Sequence, residues 1–188
     1  MPNAALVARV RRAGVICAAA ASRGMRVARR SARDAVRGGT AVYLCDTLGE
    51  LSLLYEAAGL AFVGGSLVPL GGHNLLEAAR VPGGCALLHG PHVGAVGASG
   101  AALAATNPPA ARCVRNAAEL AAAVRAFLVS PAALAASQAA AAATAAELER
   151  GVLRRVWARL QAPLGLPPLA TARGRTDCCK ESASRPEG

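Results

Sequence analysis

The residues with chemical use fall in a few short stretches. Gly64-Gly65-Ser66 is followed closely by Gly71-Gly72-His73-Asn74-Leu75-Leu76-Glu77. Glycines lack a Cβ and let backbone N–H groups approach a ligand, and a helix opening at Asn74 adds unpaired donors and a partial positive charge. Such a combination suits a phosphate or phosphodiester. Glu77 falls in the first helical turn, where a carboxylate can accept hydrogen bonds from a pair of ribose hydroxyls. Asn74 and Glu77 also stand at N-cap-to-N3 spacing, so a capping box explains the same two residues, and both readings stay open. The pattern recurs at Thr47-Leu48-Gly49-Glu50, where Thr47 and Glu50 form a better capping box that Asp46 can share. Gly49 there costs a helix about 1 kcal/mol against alanine. A glycine at that point makes sense if something passes close to the backbone.

Other constellations are weaker. Cys85, His89 and His92 match no common zinc-ligand spacing, so no metal is expected. His73, beside the glycine loop, is the better ligand contact, or else it positions that loop. The chain has no GxSxG elbow, no P-loop and no GxGxxG after a strand. No pair of carboxylates is placed to act as acid and base, so no catalytic residue is assigned and no cofactor is implied.

These loops need elements to hold them. Residues 41–45 (AVYLC) read as a buried strand and 48–58 as a helix with Leu51, Leu54, Tyr55 and Ala58 on one face. Residues 60–63 read as a strand stopped by Gly64-Gly65, and 74–80 as a short helix. Strands follow near 85–88 and 112–114. Asn116 caps a helix carrying Leu120, Val124, Phe127 and Leu128 on one side. Ser130-Pro131 starts another, alanine-rich to Ala146 and then striped with Leu148, Val152, Val156 and Leu160. Strands alternating with helices predict an α/β layer with a mostly parallel sheet, which binds ligands at the carboxyl ends of its strands. The glycine-rich loops lie at those ends. Residues 1–28 are a basic segment without a clear assignment, and 163–188 read as a disordered tail.

Composition narrows the class. The chain has 188 residues, of which 54% are hydrophobic and 3% aromatic. Alanine supplies much of the apolar total, and at about 25 cal/mol per Å² it builds a thin core. The net charge of +10 is uneven: residues 1–40 hold nine arginines against Asp34, while 41–149 hold four arginines and seven acids. One lysine against twenty arginines points to coding bias rather than phosphate contacts, and interleaved aromatics are lacking, so nucleic acid is not an expected partner. Six cysteines without a CxxC pair suggest a reducing compartment, with Cys178-Cys179 in the polar tail. No apolar run approaches the roughly 20 residues of a membrane span. The arginine-rich, acid-poor opening has the composition of an organelle transit peptide.

DTLGEL at 46–51, FVGGSLV at 62–68 and GGHNLLEAA at 71–79 stand in order. With these phrases the chain closely resembles the C-terminal half of the 3-deoxy-D-manno-octulosonic acid (Kdo) transferases of lipid A assembly, from about Arg29 to about Leu160 and weakening after Gly94, within a domain expected over residues 29–162. His89-Gly90-Pro91-His92-Val93-Gly94 is similar to the family's GPH loop in its plant and algal form, and the Trp157 helix to its closing helix.

The resemblance implies one Rossmann-like half of a GT-B glycosyltransferase, the half that holds the donor CMP-Kdo. It places Leu48, Gly49, Glu50, Asn74, Leu75, Leu76 and Glu77 along the CMP site, with Ser66 and Gly71, Gly72 and His73 at its border. It further implies inverting transfer of Kdo to a lipid IVA-like precursor held by an N-terminal domain, which also supplies the catalytic carboxylate. No part of these 188 residues corresponds to that domain, so the chain reads as a C-terminal fragment, a partial gene model or a decayed copy, with a non-catalytic module acting through a protein partner as the alternative function. Peripheral membrane association is implied, and a mitochondrial location if the source is a photosynthetic eukaryote.

Overall fold

The computed structural model describes residues 4–93 and 97–168. Gly94 of the GPH-like loop, the polar segment from 169 and its Cys178-Cys179 pair lie outside the described residues. The chain opens with helix α1 (Ala4–Ala21) and strand β1 (Arg26–Arg29), and β1 pairs in parallel with β2 (Thr40–Leu44). Helix α2 (Leu51–Ala57) leads to β3 (Leu60–Val63), α3 (Leu75–Ala79), β4 (Ala86–His89), α4 (Gly97–Ala104) and β5 (Ala111–Cys113). Helices α5 (Ala117–Val129) and α6 (Pro131–Leu164) close the described chain.

All the pairing is parallel, as the strand–helix alternation predicts, but among the described residues the strands form two sheets. One is β1-β2, and the other is β3-β4-β5 with β4 in the centre. The central position explains why β4 (ALLH) is buried along its whole length and reads as a continuous apolar run. The β1 strand (RVAR) carries charge at both ends and is not apparent from local pattern. The boundary drawn at residues 28 and 29 falls inside it.

The main core gathers Val63, Leu75, Val81, Cys85, Leu87 and Leu103 with alanines of α3 and α6. A second cluster joins Leu88, Val114 and Ala123, against which Leu60, Phe62, Leu120, Val124 and Phe127 pack. Leu128, expected on the same face, is 71% exposed. Its position one residue past Phe127 rotates it away from the cluster.

Helix starts follow the sequence signals at α5 and α6. Asn116 Oδ1 accepts from the Glu119 amide at 2.9 Å, and Ser130 Oγ from the Ala133 amide at 3.3 Å with Pro131 in the first turn. Helix α6 does not stop at Pro163. It runs through that residue to Leu164 and ends at Gly165 in the left-handed conformation (φ 59°), so the expected boundary at 162 and 163 lies within the helix. The amides of Gly165 and Leu166 both close on the Gln161 carbonyl, which supplies the stop that proline does not.

Candidate functional site

The loop after β2 is built from both sides. Gly49 has φ 82°, a conformation that costs most side chains strain, and it turns the chain into α2. The helix therefore begins at Leu51 with Glu50 in the N-cap position, not at residue 48 as the pattern suggested. Thr47 and Glu50 do not form the expected capping box, because the Gly49 turn intervenes. Their side chains bond each other instead, Thr47 Oγ1 donating to Glu50 Oε2. Nothing in the protein lies within 4 Å of a Cβ built on Gly49, so within the protein it is the backbone conformation, not a close contact, that calls for glycine.

Two arginines from the end of β1 hold this loop. Arg30 grips Glu50 in bidentate fashion, Nη2 to Oε1 at 2.6 Å with Nε 3.0 and 3.2 Å from the two oxygens. Arg29 Nε donates to Asp46 Oδ2 at 2.5 Å, and Ser31 donates to Asp46 through its amide at 3.0 Å and its hydroxyl at 2.8 Å. Hydrogen bonds from Arg30 first, then Thr47, hold the Glu50 carboxyl down at about 2. Burial pushes the Asp46 carboxyl up, but the bonds from Arg29 and Ser31 prevail and hold it at about 2 as well. Leu48 is 77% exposed and shares with Glu50 a polar cleft of about 690 Å³, with Arg30, Arg33 and Tyr43 on its walls.

The second loop separates residues that the sequence grouped. Ser66 is fully buried; its Oγ donates to the Val63 carbonyl at 2.5 Å and accepts from the Gly90 amide at 2.8 Å. It ties the loop after β3 to the loop after β4 and has no surface to offer a ligand. The contact is so close that a Cβ on Gly90 would sit 2.1 Å from the Ser66 carbonyl oxygen. Gly71 and Gly72 both have positive φ, and Gly72 donates to Gly65, folding the loop back on itself. His73 is exposed.

Asn74 caps α3, its side chain accepting from the Leu76 amide at 3.0 Å; no matching bond from Glu77 back to Asn74 occurs among the described residues. Half of the capping reading therefore holds, and Glu77 is left exposed in the first turn. Helix α3 has only five residues, so few aligned peptide dipoles stand behind its amino end. Leu75 is fully buried in the core, and Leu76 is half-buried against it. The Leu75 side chain is core, which leaves only its backbone for any ligand.

Across these loops the structure brings Gly49 and Glu77 together. They share a cleft of about 230 Å³ between α2 and α3, with Leu51, Ser52, Tyr55 and Arg80. Burial first, then the nearby negative charge of Glu77, pushes the Tyr55 hydroxyl up. Sequence reasoning missed Ser52 and Arg80 altogether and took Tyr55 only as a packing residue. It missed Arg29 and Arg30 too, since both lie in a segment rich in arginine throughout. A pair of arginines and a serine ahead of a strand whose following loop reads Asp-Thr-Leu-Gly-Glu was the available signal.

Cys85 and the histidines are engaged separately. The Cys85 thiol donates to the Ala58 carbonyl at 3.1 Å, and His89 Nδ1 bonds the Gly90 carbonyl at 2.7 Å. Among the described residues no group of three His, Cys, Asp or Glu side chains is placed to hold a metal.

Parallel strands joined through helices, with the candidate ligand loops at the carboxyl ends of β2 and β3, make a Rossmann-like layout. The C-terminal CMP-Kdo binding domain of WaaA from Acinetobacter baumannii has the same fold. It superposes with a TM-score of 0.60 at 28% identity, over 66% of this chain and 63% of that one. By sequence the chain is similar to the probable 3-deoxy-D-manno-octulosonic acid transferase, mitochondrial, of Arabidopsis thaliana, at 39% identity over 119 residues. It is 47% identical over 70 residues to the 3-deoxy-D-manno-octulosonic acid transferase of Bordetella pertussis. The matches cover 63% and 37% of this chain but only 26% and 16% of those relatives. No protein-family profile matches the chain. The resemblance to the Kdo transferases is thus present in both sequence and fold.

Proposed function

We propose that this chain is the donor-binding half of a Kdo transferase and takes a cytidine monophosphate sugar, CMP-Kdo, at the loops after β2 and β3. The observation that carries the reading is the fold match to a CMP-Kdo binding domain over 66% of the chain. In this reading the cleft between α2 and α3 takes the ribose, whose hydroxyls donate to Glu77. Gly49 leaves room for the nucleotide to pass along the backbone. Asn74, Leu76 and the glycine–histidine turn border the nucleotide, and Arg80 offers a positive charge in the same cleft.

The reaction proposed for the complete enzyme is inverting. A hydroxyl of a lipid IVA-like acceptor attacks the anomeric carbon of Kdo, and its proton passes to a carboxylate of an N-terminal domain. The bond to the phosphate oxygen breaks, and CMP leaves with the electron pair. Positive charge near the phosphate then offsets the charge that develops on it. Peripheral membrane association, and a mitochondrial location like that in the name of the Arabidopsis relative, are part of the same proposal.

Calorimetry with CMP on the full chain tests the donor site. Binding that weakens at least tenfold in Glu77→Ala, with the unfolding midpoint unchanged, is the expected result. A folded chain that binds no cytidine nucleotide would sink the assignment. A second reading, a non-catalytic module, is favoured by one observation: Val152, Leu153, Val156 and Leu160 of α6 are all between 42% and 54% exposed. Failure to bind CMP together with a protein partner lost in Val156→Asp would support it.

A further inference from the structure

The loop that the donor reading uses most, residues 46–50, does not hold its own shape. Gly49 removes helical support at φ 82°, and the peptide groups of Leu48 and Gly49 enter none of the turn and loop hydrogen bonds of the described residues. Helix α2 behind it has no buried residue. The contacts that fix the loop come instead from Arg29, Arg30 and Ser31, at the carboxyl end of a neighbouring strand.

We infer that Arg30, with Arg29 beside it, is a positioning residue for the ligand-facing loop, and that Glu50 is its anchor rather than a ligand contact. Both Glu50 oxygens are occupied: Oε1 accepts from Arg30 Nε and Nη2, while Oε2 accepts from Thr47 and lies 3.2 Å from Arg30 Nε and 3.7 Å from the Cys45 thiol. A carboxylate so engaged has little left for a sugar hydroxyl. Among the described residues Glu77 has no such partner, and it is the acceptor that remains for a diol. Asp46 is held in the same manner by Arg29 and Ser31, so the loop is pinned four residues apart, at 46 and at 50, with Leu48 and Gly49 between the pins. Arg30 is half exposed, and an exposed ion pair adds little to global stability. Its two-pronged geometry, by contrast, fixes orientation in a way a point charge cannot. The clamp therefore orders the loop more than it stabilises the domain.

The ligand consequence rests on the donor reading above, and the experiment separates the two. Full-chain wild type, Arg30→Gln and Arg30→Lys are compared by limited proteolysis with thermolysin and by calorimetry with CMP. In Arg30→Gln, cleavage at the exposed Leu48 is expected to speed up at least tenfold while the urea midpoint stays unchanged. CMP affinity is expected to fall at least tenfold, with partial recovery in Arg30→Lys, which keeps the charge and loses the fork. Unchanged cleavage at Leu48 in Arg30→Gln overturns the inference. So does faster cleavage with unchanged CMP affinity. If the wild type binds no CMP, the donor reading falls, and the proteolysis result alone decides whether Arg30 positions the loop.

Discussion

Replacing Ser66 with alanine removes one oxygen atom and reports on how the site end of the sheet is held together. The hydroxyl is fully buried, accepts from the Gly90 amide at 2.8 Å and donates to the Val63 carbonyl at 2.5 Å. Water cannot replace it without opening the loops. A buried donor left without a partner costs about 1–3 kcal/mol, and the lost bond to Val63 adds to that, so about 2 kcal/mol is a fair expectation. For a domain stable by about 5–15 kcal/mol this is a large fraction. With a urea slope of about 2 kcal/mol per molar, the midpoint of unfolding falls by about 1 M at unchanged slope. Urea titration followed by circular dichroism measures it. Amide exchange should speed up at Gly90 and at His92, whose amide bonds the Ser66 carbonyl at 2.9 Å. A midpoint within about 0.2 M of wild type, a loss of about 0.4 kcal/mol on that slope, would refute the reasoning, because it would mean the hydroxyl is not the tie between the two loops.

Gly49→Ala places a side chain at φ 82° and should cost about 1–2 kcal/mol, read as a lower urea midpoint with faster proteolysis in the 46–50 loop. Asp46 and Glu50 both have carboxyls held at about 2 in the folded chain, below their ordinary values near 4. The folded values are depressed, so the stabilisation, most of it from the shielded Asp46 because solvent screens the half-exposed Arg30–Glu50 pair, is complete above about pH 5 and disappears as pH falls through about 2. Urea midpoints at successive pH values should show a decline over that window that flattens in the double variant Asp46→Asn, Glu50→Gln; an equal decline in the variant would assign the acid loss elsewhere. Burial pushes the Cys85 thiol up to about 11, whereas Cys113 is exposed. Iodoacetamide on the native chain at pH 8 should modify Cys113 and spare Cys85, and peptide mass spectrometry distinguishes them.

Local pattern carried most of the fold because the elements that pack as the sequence suggests bury what lies on one face. Residues 60–63 form β3 with the bounds expected, and β4 is a continuous apolar run because it is the middle strand. Asn116 and Ser130 are caps whose partners lie three residues on, within reach of any sequence window. What was not legible depends on distance along the chain. The Arg29–Asp46 and Arg30–Glu50 pairs span 17 and 20 residues, and no periodicity announces them. The same holds for the cleft: Gly49 and Glu77 were both picked out, but Tyr55 and Arg80 join them only because α2 and α3 pack side by side. Leu75 and Ser66 also lie in the motifs, yet their side chains are fully buried. A motif marks a segment, and the fold then decides which of its side chains turn inward.

The two ends of the sheet are held by different means, and this bears on how an alanine-rich chain can carry a ligand site. At the amino ends of the strands, α6 does the holding. Its Ser137 hydroxyl donates to the Pro109 carbonyl just before β5, and Gln138 Nε2 donates to the Gly59 carbonyl just before β3, each at 2.8 Å. Ala141 and Ala145, both almost fully buried, bring the helix close enough for those bonds to form. Small side chains thus exchange apolar area for approach, and two polar hooks use that approach at the end of the sheet away from the glycine loops. At the carboxyl ends, Ser66 ties the loop after β3 to the loop after β4, and the two arginine clamps tie the loop after β1 to the loop after β2. A thin core is tolerable under that division, since the site loops draw their order from local hydrogen bonds rather than from bulk packing. It also follows that changes to α6 should act on stability first, and changes to Arg30 or Gly49 on the loops.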